Sequence, residues 1–199
     1  MGMFDFTERE VKDIVISLLV LSFVFMFWIT SNYPEIPIYL SFLFSLLTVG
    51  FAFIGHELSH RSVARKLGFH SEYVMWKQGL LMALLFAFIT NGRIIFAAPG
   101  AVVFASYWAF KGPSLDDVGK IGIAGIVFNI TLLYISIPLF FMTGFELFAL
   151  MGFINGWFAI FNLIPLGPLD GRKVMQWNSK IWATAFVLAI IGFGILYVF

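Results

Sequence analysis

No cysteine occurs among the 199 residues, so a disulfide framework, a thiolate metal site and a thiol nucleophile are all excluded. Any metal must then be held by His, Asp or Glu. Charge is also scarce: only 12% of residues are Asp, Glu, Lys or Arg, about half the share of an ordinary soluble domain. The formal net charge of +1 supplies no basic or acidic field, which removes the electrostatic basis for binding nucleic acid or polyanions. There is no internal repeat, low-complexity tract or interdomain linker. What the chain has in excess is apolar side chains, 61% of the total. The first partner to expect is therefore a lipid bilayer.

A spanning helix needs about 20 mostly apolar residues. Stretches 14–30, 37–60, 118–142, 145–164 and 181–199 approach that length. They predict an all-α polytopic membrane protein with about five to six transmembrane helices, forming one membrane-embedded domain over 1–199. The first stretch runs into Ser31-Asn32-Tyr33-Pro34-Glu35, which has no small-x-small cleavage pattern, so it reads as a retained anchor. Between the second and third stretches, residues 79–110 are broken by Thr90-Asn91-Gly92-Arg93 and by Pro99-Gly100. A re-entrant hairpin is expected there, with arms that are helical or short strands.

Orientation follows from Lys and Arg, which accumulate in cytoplasmic loops. Arg9 and Lys12 precede helix one; Arg61, Arg65, Lys66 and Lys77 follow helix two; Lys111 and Lys120 precede helix three; Arg172, Lys173 and Lys180 precede the last helix. All fall on one side if the hairpin returns to the face it left, with Arg93 near its tip. The expectation is a multi-pass protein of the cell membrane with a cytoplasmic N-terminus. Residues 61–78 read as a basic cytoplasmic loop, and His70 within it as an ordinary interfacial histidine.

Helix two carries His56-Glu57-Leu58-Ser59-His60. Residues four apart share a helix face, so both imidazoles can bind one ion with Glu57 beside it, the arrangement of zincin metalloproteases. Ionisable groups inside a membrane helix are costly and mark function. A catalytic zinc takes three protein ligands and leaves a position for water. Asp170 is the candidate third ligand: it follows helix four in Asn162-Leu163-Ile164-Pro165-Leu166-Gly167-Pro168-Leu169-Asp170-Gly171, where two prolines forbid a regular helix. A helix-capping aspartate is the alternative. The topology brings His56 and Asp170 to the same, cytoplasmic, face.

The pair His56-Glu57-x-x-His60 and Asn162-x-x-Pro165-x-x-Pro168-x-Asp170-Gly171 resembles the site-2 protease family of intramembrane metalloproteases, in a compact prokaryotic form without PDZ or CBS domain. The resemblance covers about residues 40–175, with helices 14–30 and 181–199 flanking. It implies one zinc per chain, held by His56, His60 and Asp170, with Glu57 as catalytic acid/base. Ile121-Gly122-Ile123-Ala124-Gly125-Ile126-Val127-Phe128-Asn129 is similar to the family's Ala-Gly-Pro segment, with Ile126 where proline is usual. Ala98-Pro99-Gly100-Ala101-Val102 resembles the family's membrane-associated strands.

Such a site would hydrolyse peptide bonds in or near transmembrane segments of membrane-protein substrates, as in regulated intramembrane proteolysis. Asn162 and Asn129 are candidates to bind substrate or stabilise an oxyanion; each has the alternative of a helix-to-helix hydrogen bond. Residues 94–108 are expected to offer a strand edge to an unwound substrate. An inactive homologue or a metal transporter is the competing class. An inactive homologue is expected to lose Glu57 or a ligand, and transporters often show repeats; neither feature is present.

Overall fold

The computed structural model describes residues 6–96, 98–106 and 112–198. Asp5, Ala97, Trp108, Phe110, Lys111 and Phe199, each part of an expected segment, lie outside the described residues. Five helices are long and apolar enough to cross a membrane: Glu8–Asn32, Ile38–Lys66, Leu115–Thr143, Glu146–Leu163 and Ser179–Leu196. The protein is an all-α polytopic membrane protein, with a small two-stranded sheet beside the helices.

Local chemistry sets the helix ends. Helix α1 (Glu8–Asn32) starts at Thr7, whose hydroxyl accepts from Glu10 N, and it stops ahead of Pro34. Helix α2 (Ile38–Val49) begins just after Pro37 and passes through a π-turn, Gly50–Ile54, into α3 (Gly55–Lys66). Helix α5 (Leu115–Thr143) opens with a capping box between Ser114 and Asp117 and closes on Gly144 at φ 64°. Helix α6 (Glu146–Leu163) ends before Pro165; α7 (Asp170–Trp177) and α8 (Ser179–Val198) follow.

Two departures from the sequence reading have a physical reason. Helix two continues past residue 60 to Lys66 because Arg61 is buried inside the protein and paired with Glu10 rather than sitting in a solvated loop. Residues Phe69–Met75, expected as basic loop, form strand β1, which pairs antiparallel with β2 (Gly100–Ser106) in the register Tyr73↔Val102. His70 therefore belongs to a strand, opposite Ala105. The re-entrant hairpin has one arm of each kind. Helix α4 (Lys77–Ile89) forms one arm, a turn at residues 90–93 follows, and the chain returns as the extended arm that becomes β2.

The hairpin tip is anchored tightly. Asn91 and Gly92 both have positive φ, and a methyl group added at Gly92 would lie 2.5 Å from Trp28 N. Glycine is thus required for the tip to reach α1. Along α1 and α2, Ser17, Ser22, Ser41, Ser45 and Thr48 are fully buried, and Ser45 Oγ donates to Ser22 O at 2.7 Å. Small polar residues of this kind let membrane helices approach closely and bond across the gap. Phe25, Phe53, Tyr73 and Phe158 fill the core between α1, the π-turn, the sheet and α6.

Candidate metal centre

The two histidines come from one turn of α3, and α5 passes directly over them. A methyl group at Gly125 would lie 2.5 Å from His60 Nε2 and 2.7 Å from His56 Cε1, so only glycine allows this crossing. Asp170 arrives from the other side at the start of α7, after the proline-broken segment between α6 and α7. Among the described residues, His56, His60 and Asp170 are the group that could hold a metal ion, and all three are buried.

Hydrogen bonds at the outer nitrogens determine what the inner ones present. Asn129 Nδ2 donates to Ala52 O at 3.0 Å and to Asn155 Oδ1 at 2.9 Å, so the other end of that amide, Oδ1, faces His56 Nδ1 at 2.6 Å. His56 Nδ1 must then be the protonated nitrogen. His60 Nδ1 likewise donates to Ile121 O at 2.6 Å. Each neutral imidazole therefore turns a lone pair inward at Nε2. Asp170 Oδ2 adds a third acceptor, 3.2 Å from His56 Nε2 and 2.8 Å from His60 Nε2, and the two Nε2 atoms are 2.8 Å apart.

Three converging acceptors repel one another unless a cation lies among them. Tetrahedral zinc with bonds near 2.0 Å spaces its ligand atoms about 3.3 Å apart. The observed spacing is close to that, and the N, N, O donor set suits zinc. Residues present therefore fit the metal. Lys173 Nζ donates to Asp170 Oδ1 at 2.8 Å and holds the carboxylate's second oxygen. Burial lowers the pKa of Lys173, but the carboxylates of Asp170 and Glu57 together outweigh it and raise the pKa above the ordinary lysine value.

These ligands open onto a cavity of about 280 Å³, whose wall also includes Glu57, Asn162, Pro168 and strand β2. Glu57 Oε2 is buried and has no hydrogen-bond partner among the described residues. A buried carboxylate oxygen without a partner is costly to keep, which marks Glu57 as a candidate for chemistry beside the three converging acceptors. Asn162 lines the cavity, and its Nδ2 donates to Phe158 O within its own helix at 3.0 Å.

Asn129 does not line the cavity. It is fully buried with both ends of its amide engaged, so it does not reach a substrate and instead orients His56. The carbonyl it bonds, Ala52 O, belongs to the π-turn, a distortion common at functional sites. Sequence reasoning missed Asn155, fully buried and linked to Asn129, as well as the π-turn. Such outer partners fix the tautomer of a ligating histidine. Asn129→Leu is expected to weaken zinc binding about 10–100-fold, read by competition with a chelator of known affinity. An unchanged affinity would mean that His56 is oriented without Asn129.

No protein-family model matches the chain, and no solved structure matches it. A protein of Methanocaldococcus jannaschii named "Putative zinc metalloprotease" is 38% identical over 204 residues, covering 100% of both chains.

Proposed function

We propose, for a chain that belongs to the same zinc metalloprotease family as this Methanocaldococcus jannaschii protein, that it is an intramembrane endopeptidase of the site-2 type. It hydrolyses peptide bonds in or beside the membrane helices of protein substrates. The observation that carries this reading is the triad of inward-facing acceptors with Glu57 beside it, at a cavity bordered by a strand. One zinc ion per chain would be held by His56, His60 and Asp170. When bound, zinc lowers the pKa of a water toward about 7 and polarises the scissile carbonyl. Glu57 takes the proton from the attacking water and returns it to the leaving amine. Asn129 and Ile121 O keep both imidazoles in the ligating tautomer, and Lys173 holds the second oxygen of Asp170. Asn162, on the cavity wall, is placed to bond the substrate backbone.

A substrate helix hides its carbonyls in its own hydrogen bonds, so the cleaved segment must be extended. Strand β2 supports this requirement. The N–H groups of Tyr73 and Met75 point away from β2, to Glu10 and Asp13, so the intervening residues of β1 bond β2. By the register, the N–H and C=O groups of Gly100, Val102 and Phe104 face away from β1, and no described residue is bonded to them, so they can pair with an added strand. The same strand lines the cavity.

Lys and Arg gather at the end of the bundle that carries the metal triad, as with Arg65, Lys66, Lys120 and Lys173. This supports a cytoplasmic side for the site and the N-terminus. The substrate is expected to be a single-span membrane protein. The test is cleavage of such a protein by the purified enzyme in a bilayer. Val102→Pro should lower kcat/KM about tenfold while leaving zinc content unchanged, because the N–H it removes faces away from β1 and the metal ligands lie on other elements. An unaltered kcat/KM in that variant would exclude pairing at β2.

A further inference from the structure

Helix α1 lies outside the metal centre, yet one of its faces is devoted to strand β1. Thr7 Oγ1 donates to Glu72 Oε1 at 2.7 Å, Tyr73 N donates to Glu10 Oε1 at 3.0 Å, Met75 N donates to Asp13 Oδ2 at 3.2 Å, and Tyr73 OH donates to Ser17 Oγ at 2.9 Å. Residues 7, 10, 13 and 17 recur at helical spacing and form one continuous stripe. The carboxylates satisfy two outward N–H groups of β1, those of Tyr73 and Met75, at the end of the strand nearest the cavity. Among the described residues, the edge of β2 along the cavity has no partner strand and can take one.

Glu10 does more than cap an edge. The same oxygen that accepts from Tyr73 N also accepts from Arg61 Nη1, and Arg61 immediately follows the metal-ligating position His60 on α3. Glu10 and Arg61 are each 2% exposed, and the guanidinium also stacks over Phe6, 4.2 Å from the ring centroid. A buried ion pair is a poor way to gain stability, because apolar residues of the same volume usually do as well or better. An apolar pair could not, however, join the metal helix to the backbone of the strand. We propose that Glu10 is a positioning residue that fixes the β1–β2 sheet relative to the metal helix, and thereby sets which substrate bond meets the metal. This inference rests on the reading of β2 as the substrate's partner strand. It gives the N-terminal helix a role in the choice of scissile bond.

The test uses the full zinc-loaded chain in phospholipid nanodiscs. Because the protein has no cysteine, Lys66→Cys on α3 and Val103→Cys on β2, both exposed, allow a spin-label distance to be measured without background. The distribution should be narrow with Glu10 present and broaden in Glu10→Ala, with Glu10→Gln intermediate because it retains an acceptor for Tyr73 N. An unchanged distribution in Glu10→Ala would overturn the proposal, whether or not any substrate is cut. Cleavage is read by mass spectrometry on a synthetic single-span Leu/Ala peptide with a Gly-Ser pair near one end. Wild type should cut one principal bond. Glu10→Ala should spread cutting to bonds two residues away, with kcat per bound zinc down about tenfold and KM little changed. Slower cutting at the same single bond would reduce Glu10 to a structural role. A peptide left intact by wild type would count against the substrate reading alone, and the label distances would still decide the role of Glu10.

Discussion

Glu57→Gln should retain one zinc per chain and lose cleavage by about 10²–10⁴-fold, the range supplied by a positioned general acid–base. Glutamine has nearly the same volume and still presents an oxygen to the cavity, so the proposed ligands His56, His60 and Asp170 are left in place. What it cannot do is accept the proton of the attacking water. Stability should move the other way. Glu57 is 8% exposed and its Oε2 has no partner among the described residues, so wild type carries an uncompensated buried carboxylate oxygen. Replacing it with a neutral amide should keep or raise the thermal midpoint, a trade of function against stability familiar at active sites. Metal analysis, a thermal scan and a cleavage assay on one preparation check all three expectations. Undiminished cleavage by Glu57→Gln would rule the proposed chemistry out.

The parts of this protein that sequence reveals are those whose signal is local. His56, Glu57 and His60 sit within one helical turn, and their spacing alone places them on a common face. Asp170 stands out because Pro165 and Pro168 break the chain before it. The five spans are legible because each is a continuous apolar run. Sites built from distant residues leave no such trace. Asn155 is an amide in the middle of an apolar helix, and its link through Asn129 to His56 exists only once α3, α5 and α6 are packed. Its one sequence hint is the seven-residue spacing to Asn162, which puts both amides on the same side of α6. Strand β1 is hidden for a different reason. Glu72 and His70 interrupt its apolar residues, and its partner lies beyond an entire helical arm. Arg61 reads as part of a solvated basic loop, and nothing in the sequence singles out Glu10 or Asp13, because each of their partners is distant in sequence, from 51 to 63 residues away.

Loss of Asp170 should affect the metal more than loss of Asn129 does, and this ranking tests the ligand assignment. Asp170→Ala removes one of the three converging acceptors outright, whereas Asn129→Leu only frees a ligand to rotate. The drop in zinc affinity for Asp170→Ala should therefore exceed the about 10–100-fold expected for an outer partner. A charge effect must be separated from the loss of a ligand, because Asp170→Ala also leaves the half-buried Lys173 ammonium without its carboxylate. Asp170→Asn makes that separation. It keeps the volume and an oxygen donor but carries no charge, so its affinity should fall between wild type and alanine. Lys173→Met removes the ammonium while keeping the carboxylate and should cost far less zinc than either. Equal zinc content in wild type and Asp170→Ala would reassign the third ligand. If Asp170→Ala and Lys173→Met lost zinc equally, the ion pair rather than direct ligation would be what holds the site together.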